Sequence, residues 1–305
     1  MSSHLDPGGL DSRRARAGVL YGAAAYAWWG LCPIYFKVVA SVPALEVLAH
    51  RVVWSALLLA ILIVLRGRLK TAVAVLRNRR TALTLLGTAA LIACNWLIFI
   101  YAVAHDELLQ AGLGYFINPL VSVLLGFVFL GERLRRWQKI SVVLAAFGVG
   151  YLILAGGEVP FLGLTLAFLF GFYGLIRKKA PVDALTGLTI ETLILSPAAL
   201  VYLIYISTTG LGVFGGADSS INMLLASAGV ITALPLLWFA NAAHRLRLST
   251  LGFLQYIAPT GQVLLACLAY GEPFTADHLI AFSAIWTALA IYSIDMVRSS
   301  GQRCQ

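Results

Sequence analysis

Ten apolar stretches, each of roughly 17–25 residues and nearly free of charge, constrain this 305-residue chain more than any other feature. They run near 18–40, 44–65, 81–104, 108–131, 138–155, 160–176, 184–206, 221–242, 248–270 and 277–297. A helix of that length crosses the ~30 Å hydrocarbon core while satisfying every backbone N–H and C=O within itself, which lipid cannot do for it. The first stretch is too long, and too interrupted by Trp28, Trp29 and Pro33, for a cleaved signal peptide. Composition points the same way. At 60% hydrophobic and 11% charged, the chain is far greasier than a soluble domain, which excludes a globular, disordered or disulfide-stapled reading. Cys32, Cys94 and Cys267 lie in apolar runs and Cys304 near the C-terminus, with no CxxC or Cys/His spacing. No metal or redox cofactor is expected, and the lack of a GxxxxGK[ST] loop leaves ATP-driven pumping unsupported.

The formal charge of +9 would suit a nucleic-acid partner only if the basic residues shared one soluble surface. They do not. With ten spans, all Lys and Arg except Lys37 and Arg51 fall on one side, from Arg13 and the Arg66–Arg80 loop to Arg298 and Arg303. Loops on the other side carry Asp106, Glu107, Glu158, Asp218, Glu272 and Asp277 and no base. This is the positive-inside asymmetry, and it places both termini in the cytoplasm and argues against nucleic-acid binding.

An internal repeat follows at an offset of 140 residues. Gly112–Glu132 reads GLGYFINPLVSVLLGFVFLGE and Gly252–Glu272 reads GFLQYIAPTGQVLLACLAYGE, so that Pro119 meets Pro259 and Gly131-Glu132 meets Gly271-Glu272. The same offset brings Arg51 onto Glu191. Five spans per half is an odd number, so the halves enter from opposite sides, as in inverted-repeat transporters. The expected architecture is an all-α membrane protein of ten transmembrane helices in two inverted five-helix repeats, 18–155 and 156–297. Cytoplasmic segments 1–17 and 298–305 flank them.

The motifs AYAWWGLCPIYFK, PALEVLAHRVVWS, YFINPLVSVLLGFVFLGERL, FGFYGLIRKKAPVDALTGLTIET and LQYIAPT resemble the RarD-type permeases of the EamA group, within the drug/metabolite transporter superfamily. The resemblance covers nearly the whole chain. It implies ten spans, two EamA repeats, and movement of small solutes across the bacterial inner membrane.

Ionisable residues inside spans are functional candidates, because charge at the bilayer centre costs at least ~2.5–3.5 kcal/mol. Lys37 and Asp295 lie near span ends, where snorkelling accounts for Asp295; Lys37 either snorkels or, with Pro33 four residues before it bending the helix end, faces a cavity and stays a candidate. Arg51 lies about six residues into span two, roughly 9 Å deep, and Glu191 is comparably placed in span seven. Each is expected to face the bundle or a wet cavity, either as a structural ion pair or as working groups. In the working case Arg51 anchors an anionic substrate and Glu191 is a substrate ligand or proton carrier. Glu46 and His50 share a helix face one turn apart, His50 either relaying protons or simply pairing with Glu46. Trp29, Asn95, Tyr115, Asn118, Gln255 and Tyr256 complete the candidate set, and Asn118-Pro119 and Ala258-Pro259 are expected to break the middle of spans four and nine. Gly112, Gly114, Gly148, Gly150, Gly171 and Gly174 are expected to permit close helix packing.

The reading is a secondary transporter of a small metabolite, working by alternating access in the lipid bilayer, with a proton or the substrate's own gradient as driving force. Its oligomeric state is open. An integral-membrane enzyme acting on a lipid-linked or amphipathic substrate is the rival, and a channel or receptor a further one. The enzyme reading lacks paired catalytic carboxylates or a His/Asp constellation at one interface, and a channel or receptor would not need an inverted repeat.

Overall fold

The computed structural model describes residues 7–131, 134–156, 159–216, 218–243, 245–246 and 254–302. Glu132, Arg133, Glu158, Arg247, Gly252 and Arg303, with the start of the ninth expected span, lie outside the described residues. The described secondary structure is entirely helical: α1 (Pro7–Val38), α2 (Ala44–Leu65), α3 (Leu69–Arg77), α4 (Arg79–Ala104), α5 (Leu108–Leu130), α6 (Arg136–Gly156), α7 (Phe161–Lys179), α8 (Ala184–Thr208), α9 (Ser219–Ala243), α10 (Ile257–Leu264, continued by a π turn Leu265–Ala269) and α11 (Ala276–Gln302).

Seven of these, α2, α4, α5, α6, α8, α9 and α11, are long and apolar enough to cross a membrane, and α7 and α10 are shorter apolar helices. The bundle turns leucines and aromatics outward, with Leu154 87% and Leu268 81% exposed. A water-soluble bundle could not carry so much exposed apolar surface. The chain is an all-α, multi-pass membrane protein.

The basic segment 66–80 is not a simple loop, because LKTAVAVLR forms the amphipathic α3. Pro119 does not break its helix, for α5 runs without interruption from Leu108 to Leu130. The ninth expected span, in contrast, is interrupted beside Pro259: residues 255–256 form a turn and α10 starts at Ile257, with Pro259 in its first turn, where a proline's missing N–H is harmless.

Helix α1 packs on α9 and α10, α2 on α8 and α9, α4 on α7 and α8, α5 on α7 and α10, and α6 on α11. Glycines set the closest approaches. A Cβ on Gly114 would lie 2.3 Å from the Gly163 carbonyl oxygen across α5 and α7, and one on Gly112 2.8 Å from Val263. Gly148 and Gly171 are similarly tight, whereas Gly150 and Gly174 face open space and are not packing glycines. Gly114→Ala is therefore expected to force α5 from α7 at a cost of about 1–3 kcal/mol, with Gly150→Ala near neutral. Thermal unfolding of both variants in detergent checks the contrast.

Glu272, expected as a loop acid, is 8% exposed. Its Oε1 accepts the Leu108 N–H at 2.9 Å and its Oε2 the Leu109 N–H at 2.7 Å, so a carboxylate from one half of the chain caps α5 in the other. Glu272→Ala would orphan two buried donors. A loss of about 2–4 kcal/mol in folded stability is expected, with Glu272→Gln recovering part of it, measured by chemical denaturation.

Candidate functional site

Arg51 enters the bundle on α2, beyond the N-terminal turn begun at Ala44. Its Nε donates to Thr232 Oγ1 on α9 at 2.9 Å, and its guanidinium lies 4.1 Å from the Trp96 ring centroid and 5.5 Å from that of Phe36. Rings of this kind hold a cation that has no counter-ion, each desolvated contact being worth up to ~2 kcal/mol. None of the ion pairs among the described residues involves Arg51. The residue is half-buried, and its side-chain hydrogen bond to Thr232 uses Nε.

Around it the side chains are locked. Phe36 meets Phe99 edge-on at 5.9 Å, and Phe99 meets Tyr115 at 5.7 Å. The Tyr115 hydroxyl donates to Asn95 Oδ1 at 3.2 Å, and Asn95 Nδ2 donates to the Leu166 carbonyl at 3.1 Å. Asn118, one turn beyond Tyr115 on α5, keeps a buried Oδ1 without a partner. The structure thus links Arg51, Asn95 and Tyr115 of the candidate set through Phe36 and Phe99, with Asn118 a turn further along α5. Trp29 instead stacks among Tyr26 and Phe239, its carbonyl accepting from Gln262 Nε2 at 3.4 Å. Gln255 and Tyr256 form the turn entering α10, and Lys37 pairs with Asp106 near the end of α1. Asp295 pairs with Arg135 at 2.9 Å.

Arg51 and Glu191 do not meet. Glu191 is fully buried, its Oε1 accepting from Thr88 Oγ1 at 2.6 Å and its Oε2 from the Tyr173 hydroxyl at 3.2 Å, with Arg177 Nε 3.6 Å away. Arg177 also donates to the Asp183 carbonyl at 3.3 Å. The Asp183 side chain caps α8 through the Thr186 N–H and pairs with Arg68 at 3.1 Å. Burial pushes the Asp183 carboxyl up, but the Thr186 bonds and Arg68 outweigh it and hold it below the usual carboxylate range. One network therefore ties α4, α7 and α8 together at their basic end. A file of ring contacts, Tyr115 to Phe170 to Tyr173, joins this network to the Arg51 aromatics.

Glu46 and His50 do not pair either. Glu46 accepts two loop N–H groups, and His50 accepts from Trp54. Sequence reading missed Thr88, Tyr173 and Thr232, which look like ordinary span residues, and took Arg177 only as an orienting base. The signal for Arg177 was its offset of 140 from Lys37.

The EamA-like transporter family matches residues 16–154. An uncharacterized transporter of Vibrio cholerae is 51% identical over 289 residues, covering 95% of this chain and 96% of the relative. Protein RarD of Escherichia coli is 46% identical, covering 94% of this chain and 97% of its own length, and the uncharacterized transporter YojE of Bacillus subtilis is 43% identical over 95% and 97%. A solved crystal structure, 20% identical, shares the fold at a TM-score of 0.57 over 90% of this chain and 96% of its own. Close likeness to transporters along almost the entire chain leads to one assignment: the chain belongs to the EamA-like transporter family, among its RarD-type permeases, and is a membrane transporter and not an enzyme.

Proposed function

We propose that the chain is a secondary transporter that exports or exchanges a small metabolite bearing an anionic group. It works by alternating access across the bacterial cytoplasmic membrane, with both termini in the cytoplasm. The observation that carries this reading is Arg51: a guanidinium in the bundle, braced by Thr232 and Trp96 and left without a carboxylate. Tyr115, Asn95 and Asn118 supply neighbouring polar groups for the rest of the solute. A planar guanidinium fork recognises carboxylate or phosphate through paired hydrogen bonds.

Two inverted repeats of five spans, 18–155 and 156–297, are part of the proposal. Exchanging the halves converts the α1–α9 contact into α7–α4 and α1–α10 into α7–α5, while α2–α8, α5–α10 and α6–α11 map onto themselves. All these pairs pack, which supports a two-fold relation. Repeat-related Arg51 and Glu191 each bond to a threonine on the third spanning helix of the opposite half, Thr232 and Thr88. Asn78 and Asp218, 140 apart, each accept backbone N–H bonds at the start of α4 and α9. Such a pair of halves has two near-equivalent packings around a central site. In this arrangement the Glu191–Arg177 network serves as the latch of the basic end.

The test is counterflow in proteoliposomes, using anionic metabolites first selected by thermal shift on the purified protein. Unlabelled solute trapped inside is expected to accelerate uptake of labelled solute, with and without a pH gradient to reveal proton coupling. Flux that ignores the trapped solute would mean a channel and sink the proposal.

A further inference from the structure

A second ligand position lies apart from Arg51. Between α2 and α8 a cavity of about 410 Å³ is walled by Val53, Trp54, Leu203, Ile206 and Phe214 and opens past Leu200 and Ile204, both exposed on the bundle surface. Glu46 and His50 line it too. Arg51, the next residue, is turned by ~100° on the helix and meets α9 instead.

Two polar atoms in this cavity are unfinished. Glu46 is fully buried, and its Oε1 accepts the N–H groups of Val213 at 2.9 Å and Phe214 at 3.0 Å, but its Oε2 has no partner. His50 is 3% exposed and its Nδ1 accepts the Trp54 indole N–H at 3.2 Å. The neutral ring therefore carries its hydrogen on Nε2, which is buried and also has no partner. An acceptor and a donor thus come from residues one helical turn apart that line the same mostly apolar groove, with Ser207 and Thr208 at its exposed rim. Leaving both unmade costs about 1–3 kcal/mol each.

The chemistry of the occupant follows. No Lys or Arg lines the cavity, so an anion would meet Glu46 without compensation. An ammonium would suit Glu46 but present donors to the His50 donor. A hydroxyl does both jobs, accepting from His50 Nε2–H and donating to Glu46 Oε2. Water could do the same, yet one water fills only ~30 Å³ and leaves the apolar walls uncovered. The volume falls within the range of small-molecule pockets. We propose that this groove binds an amphipathic alcohol, a compact apolar body bearing one hydroxyl, entering from the bilayer side past Leu200 and Ile204.

Trp54 lines the cavity and reports on it, since bromine quenches indole fluorescence on contact. The full chain in nanodiscs is titrated with 4-bromobenzyl alcohol and with 4-bromotoluene, compared at equal membrane mole fraction, and Trp54→Phe identifies the signal of Trp54. The alcohol is expected to quench Trp54 at a concentration at least tenfold lower than the hydrocarbon. His50→Leu is expected to abolish that preference while changing thermal unfolding little, because removing the unpaired Nε2–H offsets the Trp54 indole N–H left without its acceptor. Glu46→Gln, which keeps an acceptor for the loop N–H groups, should narrow the preference and decides the matter if His50→Leu does not fold. Equal quenching by both probes would mean that water or acyl chains fill the groove and would overturn the proposal. A preference surviving both substitutions would overturn it as well. Neither readout involves flux, so the transport reading stands or falls separately.

Discussion

Arg51→Gln is expected to weaken binding and counterflow of anionic solutes by about 30-fold or more, while the purified protein unfolds at an unchanged temperature. The magnitude follows from removing one partner of a buried charge pair, which costs about 2–5 kcal/mol, each 1.4 kcal/mol being tenfold. The unchanged stability follows from two opposing effects, the lost ring contacts against the relief of burying a cation that has no counter-ion. Arg51 has no carboxylate to orphan, and its loss leaves only the Thr232 hydroxyl, Trp96 and Phe36 to rearrange. Arg51→Lys should be intermediate, keeping the charge but not the planar face that stacks on Trp96. A comparable loss for neutral and anionic solutes, together with a lower unfolding temperature, would make Arg51 a structural residue.

Glu191→Gln should behave in the opposite way. Two donors, Thr88 and Tyr173, and the Arg177 cation converge on that one buried carboxylate. An amide offers them one oxygen and turns its own donors against the rest. The expected cost is about 3–5 kcal/mol, as for a buried pair with one partner removed. Transport should fall as the basic end of α4, α7 and α8 loosens. Combining Arg177→Gln with Glu191→Gln should recover part of the stability, because the uncompensated cation is then gone too, and a double-mutant cycle measures the coupling. Stability that is unaffected by Glu191→Gln, coupled with loss of the pH dependence of transport, would instead make Glu191 a proton carrier.

The two substitutions separate two kinds of buried charge that look alike along the chain. Arg51 and Glu191 sit 140 residues apart, at similar depths in apolar stretches, and the sequence offers no reason to treat them differently. The packing distinguishes them. Arg177 follows its span as one of three consecutive bases and reads as a solvated, orienting cation, but α7 ends against α8 and carries it to Glu191. Glu272 reads as a loop acid until α5 brings two backbone donors to it.

Some properties were determined by the sequence alone, because their physics is one-dimensional. Lengths of uncharged apolar residues dictate helices in lipid, where each segment must satisfy its own backbone. The placement of Lys and Arg between them supports the proposed orientation without reference to any contact between helices. Membership of the transporter family was equally legible, carried by short motifs along the chain. Only the tertiary structure decided which polar groups are completed and which are left open. Hydrogen-bond partners such as Thr232 for Arg51 and Thr88 for Glu191 are 181 and 103 residues away, and nothing local specifies them. The same holds for Glu46 and His50, a turn apart on one helix yet bonded to a distant loop and to Trp54 instead of to each other. A buried polar atom becomes a candidate for binding through what fails to reach it, and that is a property of three-dimensional packing.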